Sequence, residues 1–181
     1  MSSVACFWTE PTDTAEESFR RFVFEAKCAG KSGYHTASVY LGIAPWHDGE
    51  LYGCGDLPSE ELRRDPRWPT SCSCGYAFRP ADEWQHNLDR QFRRVDTGER
   101  FTIRSAPAGA MWDAKWWNEP GPDGITLCVK LPDGCDWMVD GPASNGGRWT
   151  RTGTVPNISA SPSILTDRYH GFLTGGVLVS C

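Results

Sequence analysis

The residues best suited to chemistry in this chain are Cys72 and Cys74, in the run Cys72-Ser73-Cys74-Gly75. Thiolates are preferred ligands of zinc, and a structural zinc site takes four Cys or His side chains in a tetrahedron. Two cysteines close in sequence can grip one ion. The glycine that follows lets backbone amides turn toward the sulfurs. The usual spacing of such a pair is C-x2-C, and no second close pair accompanies this C-x-C. The run therefore reads as half of a structural site whose other ligands come from elsewhere. Cys28, His35, Cys54, His170 and Cys181 are the candidates. His170 and Cys181 are the expected partners, because they end the two arms of a predicted terminal hairpin. Cys54, in the turn Gly53-Cys54-Gly55, competes with them. Cys6, Cys128 and Cys135 fall in or beside predicted strands and read as buried thiols.

Signatures of catalysis are absent from the sequence. There is no phosphate-binding G-x-x-x-x-G-K-[ST] loop, no G-x-S-x-G elbow and no H-E-x-x-H helix. The zinc deaminase pattern, H-x-E followed by P-C-x-x-C, is missing too. The most site-like loop follows the apolar run 136–139. It offers Asp140, Ser144 and Asn145, short polar groups that could converge on a ligand, although Asp-Gly-Pro and Ser-Asn-Gly-Gly are also ordinary turn chemistry. His35 joins these as a ligand candidate. A metal-dependent enzyme of hydrolase type would use His170 or His35 with Asp140 beside the metal.

The elements that must position these residues are short. The chain has 181 residues, 39% hydrophobic and 23% charged, enough to bury one core. Nineteen glycines and thirteen prolines are spread along it, which favours many short elements joined by turns. Strands are predicted over residues 4–10, 35–43, 88–95, 100–104, 125–131, 136–139, 149–152, 154–158, 169–173 and 177–181. Residues 14–25 fit either a helix or a strand. Short helices are predicted from residue 59 to Pro66, at 80–84 and within 107–117. The expectation is a β-rich α+β fold, a compact antiparallel meander with one or two short helices, in a single domain covering 1–181.

The net charge of −5 leaves no basic excess for general nucleic-acid binding. No apolar run approaches the length of a membrane span, and the first residues carry no secretory pattern. Eight cysteines in such a chain point to metal ligands or reduced thiols rather than to a disulfide framework. Nine tryptophans read first as core filling and second as platforms for stacking on a ligand.

Several stretches occur together: Ala5-Cys6-Phe7-Trp8-Thr9-Glu10-Pro11, then Asp65-Pro66-Arg67-Trp68-Pro69-Thr70 leading into Cys72-Ser73-Cys74-Gly75-Tyr76-Ala77-Phe78. Asp82-Glu83-Trp84-Gln85, Ala108-Gly109-Ala110-Met111-Trp112-Asp113-Ala114, Val139-Asp140-Gly141-Pro142-Ala143-Ser144-Asn145 and Tyr169-His170-Gly171-Phe172-Leu173 follow. In order and spacing they resemble a family of uncharacterised proteins from phages of actinobacteria. Its members often carry the label ammonia monooxygenase, which is a membrane complex and does not suit a chain without a span. The C-terminal part also resembles a small bacterial domain with a C-x-C-G element, a Pro-Ser-Ile strand and a His before a final hairpin. That likeness implies Cys72, Cys74 and His170 near one another. Tyr169 stands where some members place Cys, and Gly146-Gly147 replaces a Cys-bearing insertion of longer relatives. The resemblance implies a phage accessory protein in the host cytoplasm, zinc-stabilised and binding a protein partner. A virion component, marked by self-association, is the alternative to it.

Overall fold

The structure is a computed structural model that describes residues 2–28, 33–46, 63–117, 120–142 and 146–181. It is β-rich, with twelve strands and one 3-10 turn among the described residues. In order the strands are β1 (Ser3–Ala5), β2 (Phe7–Lys27), β3 (Tyr34–Pro45), β4 (Glu83–Arg94), β5 (Arg100–Thr102) and β6 (Ala110–Asp113). After the 3-10 turn Lys115–Trp117 come β7 (Leu127–Lys130), β8 (Asp136–Met138), β9 (Thr150–Thr154), β10 (Asn157–Leu165), β11 (His170–Thr174) and β12 (Val177–Ser180). Among the described residues, no helix is long and apolar enough to cross a membrane. The chain divides into two compact units, one of Met1–Pro11 with Phe92–Cys181 and one of Thr12–Gln91.

In the first unit, β1, β12, β11, β10 and β9 form an antiparallel sheet in that order. Strands β6, β7 and β8 form an antiparallel ladder, and the start of β2 pairs with β6 in parallel. The two sets share one core. Met111, Leu127, Val129 and Trp137 pack with Ile158, Ile164, Leu173 and Leu178. The alternation of β11 shows how the sequence builds this core. Gly171 and Leu173 point inward while His170, Phe172 and Thr174 face solvent. The predicted turns at Pro132-Asp133-Gly134 and Thr174-Gly175-Gly176 join β7 to β8 and β11 to β12.

In the second unit, β2 and β3 make a long antiparallel ribbon. Its buried face carries the cross-strand pairs Phe19–Val39, Arg21–Ala37 and Val23–His35. The period of two settles the ambiguity over residues 14–25. Ala15, Phe19, Arg21 and Val23 are buried, so the segment is a strand. Phe19, Phe22 and Val23 also fit helical spacing, but Arg21 between them is buried too, which no apolar stripe on a helix explains.

Three local expectations change, and a fourth is not fully described. The predicted strand over 4–10 breaks at Cys6 into β1 and β2. Residues 80–82 form a turn and Glu83 begins β4, so there is no helical turn at 80–84. The stretch 107–117 contributes β6 followed by the 3-10 turn, because Ala110, Met111 and Trp112 are all buried in the ladder beside β7. The start of the helix predicted from residue 59 lies outside the described residues.

Candidate metal centre

Residues 70–78 fold back on themselves as a small hairpin. Ser71 bridges Ala77, and the Phe78 amide donates to the Thr70 carbonyl at 2.8 Å. At its tip the Cys72 amide donates to the Tyr76 carbonyl (2.8 Å) and the Gly75 amide to the Cys72 carbonyl (2.9 Å). A three-residue hairpin loop of this kind ends in a left-handed residue, and Gly75 fills that position with φ of 92°. The C-x-C-G spacing follows from the loop. Cys72 closes the strand, Cys74 sits within the turn and Gly75 turns the chain back.

The other two side chains come from the open end of the β2–β3 ribbon. Cys28 lies one residue past β2, and its amide donates to the Gly33 carbonyl at 3.3 Å. His35 is the second residue of β3 and faces the buried side opposite Val23. Ribbon and hairpin meet over a small apolar cluster of Val23, Cys72 and Phe78, with Cys28, Ala37 and Tyr76 at its edge. The His35 ring stacks on Tyr76 at 4.1 Å between centroids, which fixes the imidazole plane.

The ligand atoms of Cys28, His35, Cys72 and Cys74 all lie within 4.8 Å of one another. The Cys28 and Cys72 sulfurs are 3.8 Å apart, and His35 Nδ1 is 3.2 Å from Cys74 Sγ. Two thiolates about 2.3 Å from a tetrahedral zinc stand about 3.8 Å from each other, and a thiolate and an imidazole nitrogen about 3.6 Å. The set therefore fits a single ion after a contraction of no more than about 1 Å. A Cys3His group of this geometry can hold a metal ion. The donors are soft, which suits zinc better than calcium or magnesium.

The electrostatics favour a thiolate at one corner. Amide N–H groups of Cys74 and Thr36 point at the Cys72 sulfur and, against the opposing effect of burial, bring its thiol down to about 6, with His35 and Cys74 assisting. Burial does the reverse elsewhere. It pushes the thiols of Cys6 and Cys128 up to about 12, which leaves them protonated and inert. Cys135, expected to be buried, is exposed beside the β7–β8 turn, where Asp133 accepts its amide at 2.9 Å.

The structure brings Cys72 and Cys74 together with Cys28 and His35. His170 and Cys181 belong to the other unit. His170 is an exposed residue of β11 whose carbonyl accepts the Cys181 amide at 3.0 Å. Neither is among the four clustered residues. Cys54, Ser144 and Asn145 lie outside the described residues. Asp140 is buried in the first unit, where Arg151 Nε donates to it at 2.8 Å. His35 is committed to the cluster. Cys28 is one of five candidates in the sequence, and the spacing of the cysteines gives no preference for it. The signal that singles it out is its position with His35 at the facing ends of two segments of strand-like pattern, separated by a stretch with Gly30 and Gly33.

Comparison with protein-family models, with curated proteins and with solved structures gives no match to this chain.

Proposed function

We propose that Cys28, His35, Cys72 and Cys74 hold one structural zinc ion, and that the protein works as a zinc-stabilised binding module rather than as an enzyme. The single observation that carries this reading is the 3.8 Å separation of the Cys28 and Cys72 sulfurs within a group of four ligand atoms. Three thiolates and an imidazole complete a tetrahedron, and a closed tetrahedron has no position for a substrate or an activated water. The work of such an ion is to fasten the hairpin 70–78 to the end of the β2–β3 ribbon. The two pieces are 35 or more residues apart in sequence and are joined by a small apolar cluster and by the hydrogen bonds of Arg21, and an ion adds to their association.

A module of this kind acts by what it binds. A protein partner in a phage-infected host is the role that the sequence resemblance implies, and it belongs to this proposal. Metal analysis of protein expressed with zinc available tests the site. About one equivalent of zinc, and intense visible absorption after cobalt replaces it, are the expected results. Less than about half an equivalent, or a cobalt spectrum without thiolate character, would sink the reading.

A further inference from the structure

Beside the hairpin 70–78 the second unit forms an open pocket of about 200 Å³, lined by Arg21, Arg63, Trp68, Phe78, Pro80 and Asp82 together with Trp84. Trp68, Trp84, Phe78 and Pro80 supply its apolar surface. Phe19 backs both tryptophan rings, at 5.6 Å from Trp68 and 5.9 Å from Trp84. The polar part is unusual for so small a space. Arg21 and Asp82 are both more than nine-tenths buried.

Arg21 is fixed in place. Its Nη1 donates to the Pro69 carbonyl at 3.1 Å and its Nη2 to the Arg79 carbonyl. Its guanidinium lies over the rings of Phe78 and Trp68, 5.0 and 5.6 Å from their centroids. A guanidinium has five N–H donors, so these two contacts leave capacity, and Arg21 Nε is buried with no partner. Asp82 is already occupied. Its two oxygens accept the Arg79 amide at 2.7 Å and the Arg79 guanidinium at 3.0 to 3.1 Å. Two arginines thus face the pocket against one carboxylate that Arg79 neutralises. The local charge is positive in a chain whose net charge is −5. A cation would meet repulsion here, and an anion would be attracted.

We propose that this pocket binds a single-ring aromatic carboxylate, its ring between the tryptophan, Phe78 and Pro80 walls and its carboxylate toward Arg21 and Arg63. The volume suits a ligand of that class. A cavity of roughly 150 Å³ holds a benzene ring, so the space here takes one ring and a small anionic group. The charge-assisted contact to a planar guanidinium suits a carboxylate, which is planar as well. This inference stands on the pocket's own residues and goes beyond the metal reading.

The experiment uses the full chain, with zinc content measured on the same sample. Benzoate, benzyl alcohol and benzylamine share a ring and differ in charge. Each is titrated while the indole N–H resonances of Trp68 and Trp84 are followed, assigned with Trp→Phe variants. Benzoate is expected to shift both resonances saturably and to bind roughly tenfold tighter than either analogue. Arg63→Glu, an exposed change, should abolish that preference with the zinc content intact; Arg21 is left unaltered because its removal threatens the fold. Equal affinity for the three compounds, preference for benzylamine, a benzoate preference that survives Arg63→Glu, or no saturable shift up to about 10 mM would each overturn the proposal. A zinc-free sample that still prefers benzoate would uphold the pocket and defeat the metal site. A zinc-loaded sample that ignores benzoate would do the opposite.

Discussion

The sulfur of Cys28, just past the end of β2, lies 3.8 Å from the sulfur of Cys72 at the tip of the hairpin 70–78. Disulfide sulfurs stand about 2.05 Å apart, so the pair is not bonded; the separation matches two thiolates sharing one tetrahedral ion. The relationship predicts which substitutions release metal. Cys28→Ser, His35→Ala, Cys72→Ser and Cys74→Ser should each cut bound zinc to well below one equivalent. His170→Ala and Cys181→Ser should leave it unchanged. Metal analysis of the six purified variants checks this, and zinc loss in the His170 variant would return that residue to the ligand set.

Arg21 fastens both stems of the same hairpin, through the carbonyls of Pro69 and Arg79. Burial draws its guanidinium below the usual arginine range, with Asp82 opposing that fall and Arg63 adding to it. Lysine keeps the charge and loses the fork, so it can reach only one carbonyl well. Arg21→Lys should cost about 2 to 3 kcal/mol of stability. Denaturant unfolding of the zinc-loaded protein measures this, and a cost near zero would mean that the two carbonyls find other donors.

The Cys72 thiol should titrate far below its ordinary range once metal is stripped. Its folded value is brought down to about 6 from the ordinary 9.0, chiefly by the amide of Cys74. A depressed acid stabilises the folded state above the unfolded value, and the contribution is lost as pH falls through the folded value. The metal-free fold should therefore lose stability from about pH 9 down to about pH 6, where the gain from this thiolate ends. Alkylation of Cys72 by iodoacetamide should rise through pH 6, and a rise delayed to pH 9 would contradict the hydrogen-bonding described here.

Core changes in the first unit should spare the metal. Leu178 and Ile158 are fully buried in its main cluster. Leu178→Ala should cost about 2 to 5 kcal/mol, the range for truncating a buried leucine. Zinc content at a temperature where the variant stays folded should remain near one equivalent. Loss of zinc without unfolding would show that the two units depend on each other for the site.

Gly75 tests the loop itself. Its φ of 92° is unfavourable for any residue with a Cβ, although nothing crowds the position. Gly75→Ala should weaken zinc retention in a chelator competition and cost about 1 kcal/mol from backbone conformation alone. Unchanged retention would mean that the tip relaxes without moving the sulfurs.

That the fold is β-rich was legible in the amino-acid order, because alternation and turn residues are local signals. The β7–β8 and β11–β12 hairpins were legible from Pro132-Asp133-Gly134 and Thr174-Gly175-Gly176 for that reason. Cys72 and Cys74 were legible as ligands, since their spacing and the following glycine belong to one loop. Local pattern could not decide residues 14–25, where helical and strand spacings coincide until the burial of Arg21 separates them. Nor could it choose the partners of the cysteine pair. His170 and Cys181 bracket one hairpin, Cys28 and His35 bracket another, and both are equally plausible on a linear reading. Only the tertiary structure chose, by laying the hairpin 70–78 across the end of the β2–β3 ribbon and burying Val23 against Phe78. That choice is made by packing between segments distant in sequence, and spacing along the chain carries no record of it.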